Sequence, residues 1–313
     1  MEKFTNWRDK GTGIAPFVPT PPPLSQERGL TGALNNLKFV LKAICVLPLV
    51  LVALILPESI SKNIWPTILK VLVNWSSQLT TQGVKKRDQR GELPTADSGI
   101  YLANCSSPFD AVALWFLAQG PVAFCVPLGN GKQSRIVQLG IWQFLQFALN
   151  NGQLRQDESH FQQIKTKSQL KGHVVYLFAE GTTSNGKSVL PFGLTQETWD
   201  EFLGQKSINT ASSTSYSGDN NNRQVAADVK VHAILLKINS SLTTPLKLDK
   251  WKYLVRASAQ GVSYKCRIIK SVGPELTKAR AALVGGDKFR LVGKELNTES
   301  KRKFIKEFGS RRR

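Results

Sequence analysis

Residues 99–110 read GIYLANCSSPFD. The first five form a short apolar run of strand type, and the chain then turns at once into a helix start. Ser107 is a fair N-cap, Pro108 suits a first helical turn, and the helix dipole favours the Asp110 carboxylate there. Residues 109–118 continue as a helix-like stretch. A strand that hands over directly to a helix is the building unit of α/β sheets, and the alternation continues downstream. Strand-like runs occupy 122–126, 174–179 and 229–238, and a helix-like run occupies 136–149. The predicted class is α/β, as one domain over 83–296. A polar insertion at 207–224, with ASSTSYSGDNNN at its heart, interrupts it as a solvated loop.

A second stretch, FAEGTTSNGK at 178–187 followed by LPFG at 190–193, also sets small and polar residues straight after a strand. In α/β sheets that is where reactive groups sit. It offers a carboxylate, hydroxyls and backbone amides beside Lys187, a set suited to a phosphate-bearing headgroup. Taken alone, each stretch also reads as ordinary structure, the first as a helix start and the second as a Gly-Thr turn.

Together the two stretches resemble the glycerolipid (1-acylglycerol-3-phosphate) acyltransferase family. In that family one strand ends in Asn-His-x-Ser-x-x-Asp and a later one in Phe-Pro-Glu-Gly-Thr. Asn104, Ser107 and Asp110 match the first pattern, and Phe178, Glu180, Gly181 and Thr182 match the second. Leu190-Pro191-Phe192 echoes the segment just beyond the family's Glu-Gly-Thr block. The resemblance covers roughly residues 95–240 and is similar to the diverged fungal lysophosphatidic acid acyltransferases of the endoplasmic reticulum and lipid droplet. It implies a mixed sheet flanked by helices and transfer of an acyl group from acyl-CoA, as co-substrate, to lysophosphatidic acid. It implies no other cofactor and no metal. Glu180, Gly181 and Thr182 would bind substrate, and Asp110 would orient the catalytic residue before it.

Two family positions depart from the pattern. Cys105 stands where the family has the histidine that serves as general base, and a thiol is a better nucleophile than base. The readings open at this point are acyl transfer through Cys105, a base supplied by His232 or His173, and catalysis by positioning and anion stabilisation without a strong base. A non-catalytic, membrane-tethered phospholipid-binding or trafficking protein that keeps the fold is the alternative. Thr183 replaces the arginine that comes after Glu-Gly-Thr, which leaves Lys187 as the nearest cation for phosphate, with Arg155, Lys132 and Arg135 from a more loosely aligned region. An apolar acyl groove is expected along Leu114, Trp115, Phe116, Trp142, Phe144 and Phe147.

Residues 1–36, rich in Pro and Gly, read as a flexible leader, too long and too polar to be the n-region of a secretory signal. LKFVLKAICVLPLVLVALIL comes next at 37–56 and IWPTILKVLV at 64–73, edged by Trp65, Lys70 and Trp75. Two all-round apolar stretches with such borders predict a membrane-associated helical hairpin over 37–82. Spanning and re-entrant geometries both fit, since Pro48 interrupts a charge-free run of only 43–56.

The chain has 42 Lys+Arg against 22 Asp+Glu, a formal charge of +20. Residues 241–313 hold 19 Lys+Arg and 6 Asp+Glu, so 19 − 6 = +13 lies in that part. Such an excess calls for an anionic partner, here the membrane surface, acyl-CoA and lysophospholipid. No nucleic-acid partner is expected, because no recognition motif accompanies the basic clusters. The basic tail at 297–313 reads equally as a surface helix on an anionic leaflet, through Phe304, Ile305 and Phe308, or as solubilising coil. Four dispersed cysteines form neither a disulfide framework nor a zinc site. The expected place is the cytosolic face of the endoplasmic reticulum membrane and lipid droplet.

Overall fold

Strands buried along their whole length are what the interior of a parallel sheet demands, because helices cover both its faces. β2 (Ile100–Ala103) and β6 (Val174–Phe178) meet that demand, with every residue buried. The computed structural model describes residues 5–20, 29–129, 134–154, 160–204, 229–285 and 290–310. It places β2 and β6 side by side in one eight-stranded sheet. The others are β1 (Ser76–Thr81), β3 (Val122–Leu128), β4 (Arg135–Leu139), β5 (Gln163–Ile164), β7 (Val231–Lys237) and β8 (Ser263–Ile269). The order is β1-β8-β7-β2-β6-β3-β4-β5. Its middle, β7-β2-β6-β3, is parallel, while β8 runs antiparallel to β7, and β4 and β5 form an antiparallel edge. The mixed α/β sheet expected from the sequence is therefore present.

Period-two alternation sorts the core into two layers. Tyr101, Ala103, Tyr176 and Phe178 face α3 (Phe109–Leu117), α4 (Ile141–Leu149) and α6 (Lys250–Gln260). Ile100, Leu102, Val175 and Leu177 face α5 (Gln196–Leu203) and α7 (Leu276–Leu283). Phe144 and Phe147 belong to the first layer and are fully buried, with Phe144 stacked on Phe178 at 4.2 Å. They are core, as is Leu114, rather than an acyl groove.

The two apolar stretches form α1 (Gly29–Ile55) and α2 (Glu58–Val73). They close on each other through Val46, Ala53 and Ile68, with the Ser61 hydroxyl donating to the Ala53 carbonyl at 2.7 Å. α1 begins ahead of the apolar run and is long and apolar enough to cross a membrane. Its early turns rest on α6. Trp251 donates to Asn36 at 2.8 Å and packs on Phe39, and Lys42 donates to the Ser258 hydroxyl at 3.2 Å. Lys42 is thus held by protein. On the open side Leu30, Leu34, Leu37, Leu41, Ile44 and Leu51 remain exposed.

Both chain ends differ from expectation. Residues 5–20 are a strap rather than a free leader: Phe17 is fully buried against Leu190, Val292 and Phe304. The basic tail is α8 (Thr298–Ser310), and it docks on the domain, because Phe304 faces inward onto Phe17 at 5.8 Å. Burying Phe304 against protein removes it from any leaflet. The polar insertion 207–224 and Arg311–Arg313 lie outside the described residues, as do Lys132 and Arg155.

Candidate active site

The first motif loop leaves the C-terminal end of β2, and a side chain then stands in for the next rung of the ladder. Asn104 donates to the Leu236 carbonyl at 2.9 Å and accepts from the Leu236 amide at 2.7 Å, which ties the loop to β7. Asp110, in the first turn of α3, gathers the rest. Its Oδ2 accepts from the amides of Ser106 (2.6 Å) and Ser107 (2.9 Å), and its Oδ1 accepts from the Tyr264 hydroxyl at 2.7 Å. Burial pushes this carboxyl up to about 6, and those hydrogen bonds restrain the rise. Asp110 thereby fixes the backbone of the loop.

The second loop, after β6, arrives through glycines. Gly181 has φ +64°, and a Cβ there would lie 2.9 Å from the Pro127 carbonyl oxygen. Gly152 has φ +74°, and a Cβ there would lie 2.6 Å from the Thr182 hydroxyl and from the Thr183 amide nitrogen, so only glycine admits the approach. The two loops then bond to each other. The Ser184 amide donates to the Cys105 carbonyl at 2.9 Å, the Thr183 hydroxyl to Thr244 O at 2.6 Å, and the Thr244 amide to Ser106 O at 2.8 Å. The sequence-predicted pair of loops is therefore one assembly.

Inside that assembly Cys105, Asp110, Glu180 and Thr182 are shut off from solvent. Burial, followed by the negative charges of Asp110 and Glu180, drives the Cys105 thiol well above its ordinary range, so it is protonated. Glu180 is fully buried with neither carboxylate oxygen hydrogen-bonded. Burial raises its carboxyl well above the ordinary range, against the nearby Leu190 amide, Arg280 and Lys301.

Lys301, a residue that motif reasoning missed, enters from α8. Its amine is buried and donates to Asn151 O (2.7 Å), Thr182 Oγ1 (2.9 Å), Thr183 Oγ1 (2.9 Å) and the Thr183 carbonyl. Desolvation lowers it to about 7, while Cys105 and Glu180 pull the other way. The signal was present in the helical spacing: Lys301 sits three residues before Phe304 on the same face as Phe308. Arg280 was also missed. Its guanidinium donates to the carbonyls of Val189, Leu190 and Val292 and holds the 189–192 segment beside Glu180.

His232 is not brought to the site. It pairs with Tyr101 in the β2–β7 register and stacks on that ring at 4.9 Å, further back along the strand than Ala103. Nε2 donates to the Ser98 carbonyl at 2.6 Å and Nδ1 accepts from the Ser271 amide at 3.1 Å. Both nitrogens are occupied, and burial lowers the imidazole so that it stays neutral. His173 lies at the same remote end, before β6.

Lys187 does reach an opening. A cleft of about 300 Å³ lies past the C-terminal end of β7, lined by Ser106, Asn185–Lys187, Leu236–Ser240, Thr243, Ser263, Lys265 and Arg290. Asn185 links it to the strap. Its amide donates to Pro16 O at 2.9 Å and its side chain to Ala15 O and Val18 O.

The family model described as Acyltransferase matches residues 86–194, which contain both motif loops. Lysophosphatidic acid:oleoyl-CoA acyltransferase 1 of Saccharomyces cerevisiae is 37% identical over 321 residues, covering 100% of this chain and 99% of that protein. The chain belongs to the acyltransferase family. The crystal structure of the 1-acyl-sn-glycerophosphate acyltransferase PlsC of Thermotoga maritima aligns with 88% of this chain and 96% of its own, at 12% identity and a TM-score of 0.37. Within this acyltransferase the cysteine and the buried lysine both belong to the motif assembly, and the cleft opens at Ser106, next to Cys105.

Proposed function

We propose that the protein transfers the acyl group of acyl-CoA to lysophosphatidic acid and yields phosphatidic acid at a membrane surface. The observation that carries this reading is the buried bond between the motif loops, Ser184 amide to Cys105 carbonyl, whose chain neighbours Asn185 and Ser106 line a cleft that also holds Lys187, Lys237, Lys265 and Arg290 and, among the described residues, no carboxylate. Donor and acceptor are both anionic, and the yeast relative is named for this pair of substrates.

In the reaction the acceptor hydroxyl attacks the thioester carbonyl. A C–O bond forms, the C–S bond breaks, and the hydroxyl proton ends on the CoA sulfur. A buried, protonated Cys105 disfavours an acyl-cysteine, and an imidazole with both nitrogens engaged disfavours His232 as base. Positioning and electrostatic stabilisation are left. A general base contributes about 10²–10⁴-fold, so this enzyme is expected to be slower than a histidine-bearing relative.

The exposed apolar stripe of α1 favours attachment to lipid, and the cytosolic face of the endoplasmic reticulum and the lipid droplet is the proposed location. The test supplies purified full-length protein in vesicles with labelled oleoyl-CoA and either lysophosphatidic acid or monoacylglycerol. Labelled phosphatidic acid from the first acceptor and little product from the second is the expected outcome. Absence of phosphatidic acid from vesicle-bound protein would overturn the reading.

A further inference from the structure

Lys237 and Lys265 lie directly opposite each other in the antiparallel β7–β8 register. Like charges in that position destabilise a sheet. Both line the cleft beyond the motif loops, and Arg290 and Lys187 line it with them. Arg290 first, then burial and Lys265, make the ammonium form of Lys237 harder to keep. Among the described residues no Asp or Glu lines the cleft. The other polar lining groups, Ser106, Asn185, Ser240 and Thr243, carry amides and hydroxyls. Four cations around one concavity, two of them an exposed cross-strand pair of like charge, form an arrangement that an anion stabilises.

We infer that this cleft binds a phosphate group, a phosphomonoester or pyrophosphate, carried by one of the two substrates, with Lys237, Lys265 and Arg290 joining Lys187 as its ligands. This rests on the proposed acyl-transfer reading for the identity of the carrier. Thr183 donates its hydroxyl to the Thr244 carbonyl and is not part of the cleft lining, so the ligands assigned here come from β7, β8 and the segments around Lys187 and Arg290. The place matches the general preference of α/β sheets for ligands beyond the carboxyl ends of the strands.

Titration calorimetry on the full-length protein in detergent micelles separates the two sources. One arm uses adenosine 3′,5′-bisphosphate, the phosphate-bearing end of CoA, and the other a short-chain lysophosphatidic acid; pantetheine and a short-chain monoacylglycerol are the neutral controls. The Lys237→Gln/Lys265→Gln pair and Arg290→Gln are each expected to weaken at least one phosphate probe about tenfold or more per cation removed, and to leave the neutral controls unchanged. The probe that responds identifies the carrier. Lys265→Arg, which keeps the charge, is expected to bind that probe as the wild type does, and unchanged binding of the neutral controls by the Gln variants excludes misfolding as the cause. If both phosphate probes bind all variants as they bind wild type, or if the neutral controls weaken equally, the inference fails. Phosphate binding without acyl transfer would refute the proposed reaction and leave the cleft assignment standing.

Discussion

Lys301 is a cation held where water does not reach, and its amine makes four hydrogen bonds to residues 151, 182 and 183. Its folded value of about 7 lies below the 10.5 of the free side chain. The unfolded chain therefore binds more protons between those values, and this residue makes stability rise with pH across the window. Replacing it with methionine removes that slope, so the stability difference between Lys301→Met and wild type is expected to shift in favour of wild type from pH 7 to pH 10. Denaturant unfolding at the two pH values measures it, and an unchanged difference would show that Lys301 does not titrate there. Cys105 and Glu180 face the same amine and are part of what that measurement reads. At this scale the sequence was legible where chemistry is local. Asn104 to Asp110 and Glu180 to Thr182 are recognisable through the family resemblance of the pair, and the two loops meet. Lys301 was not, because a lysine more than a hundred residues from its partners carries no motif, only a place on an apolar helix face. His232 misled for the opposite reason: its residue type fits the chemistry, but strand register decides which end of the sheet it occupies.

Elements show the same division. Strands β2, β3 and β6 are dictated by periodicity, since buried runs of four to seven apolar residues have few other uses, whereas 136–149, expected as one helix-like run, divides at Gly140 into β4 and α4. The chain ends were misread because composition reports what a segment is made of and not what it rests on. A Pro/Gly-rich leader with few apolar residues still docks when one of them, Phe17, finds a cavity between Leu190 and Phe304. α8 carries Lys303 and Lys306 outward and Lys301 and Phe304 inward, so its amphipathic pattern suited a leaflet and a protein groove equally. Phe304→Ala is expected to destabilise the folded protein by about 3–5 kcal/mol, the usual cost of emptying a buried aromatic site. Thermal unfolding reads the loss. Vesicle binding by the variant below its melting temperature is expected to equal that of wild type, whereas a helix lying on lipid would show lost binding and unchanged stability.

Across the whole molecule the formal charge of +20 divides among separate tasks. Lys301 and Arg280 are structural and lie within the domain, Lys187, Lys237, Lys265 and Arg290 converge on the cleft, and Lys42 ties α1 to α6. The proposed attachment to lipid would then depend mainly on the apolar stripe of α1. Leu41 and Leu51 are 55% and 54% exposed, and each is worth about 1.5–3 kcal/mol when buried. Leu41→Glu/Leu51→Glu is expected to lower vesicle pelleting more than tenfold with an unchanged melting temperature. Equal pelleting would remove α1 as the attachment site.

Transfer without a covalent cysteine intermediate is the central chemical claim, and turnover by Cys105→Ala tests it most directly. With labelled oleoyl-CoA and lysophosphatidic acid, the variant is expected to form phosphatidic acid within about threefold of the wild-type rate, less than the tenfold that 1.4 kcal/mol of barrier represents, and intact-mass analysis of wild type should show no acylated Cys105. Loss of turnover in a folded Cys105→Ala protein, together with an oleoyl adduct on Cys105 in the wild type, would contradict the account.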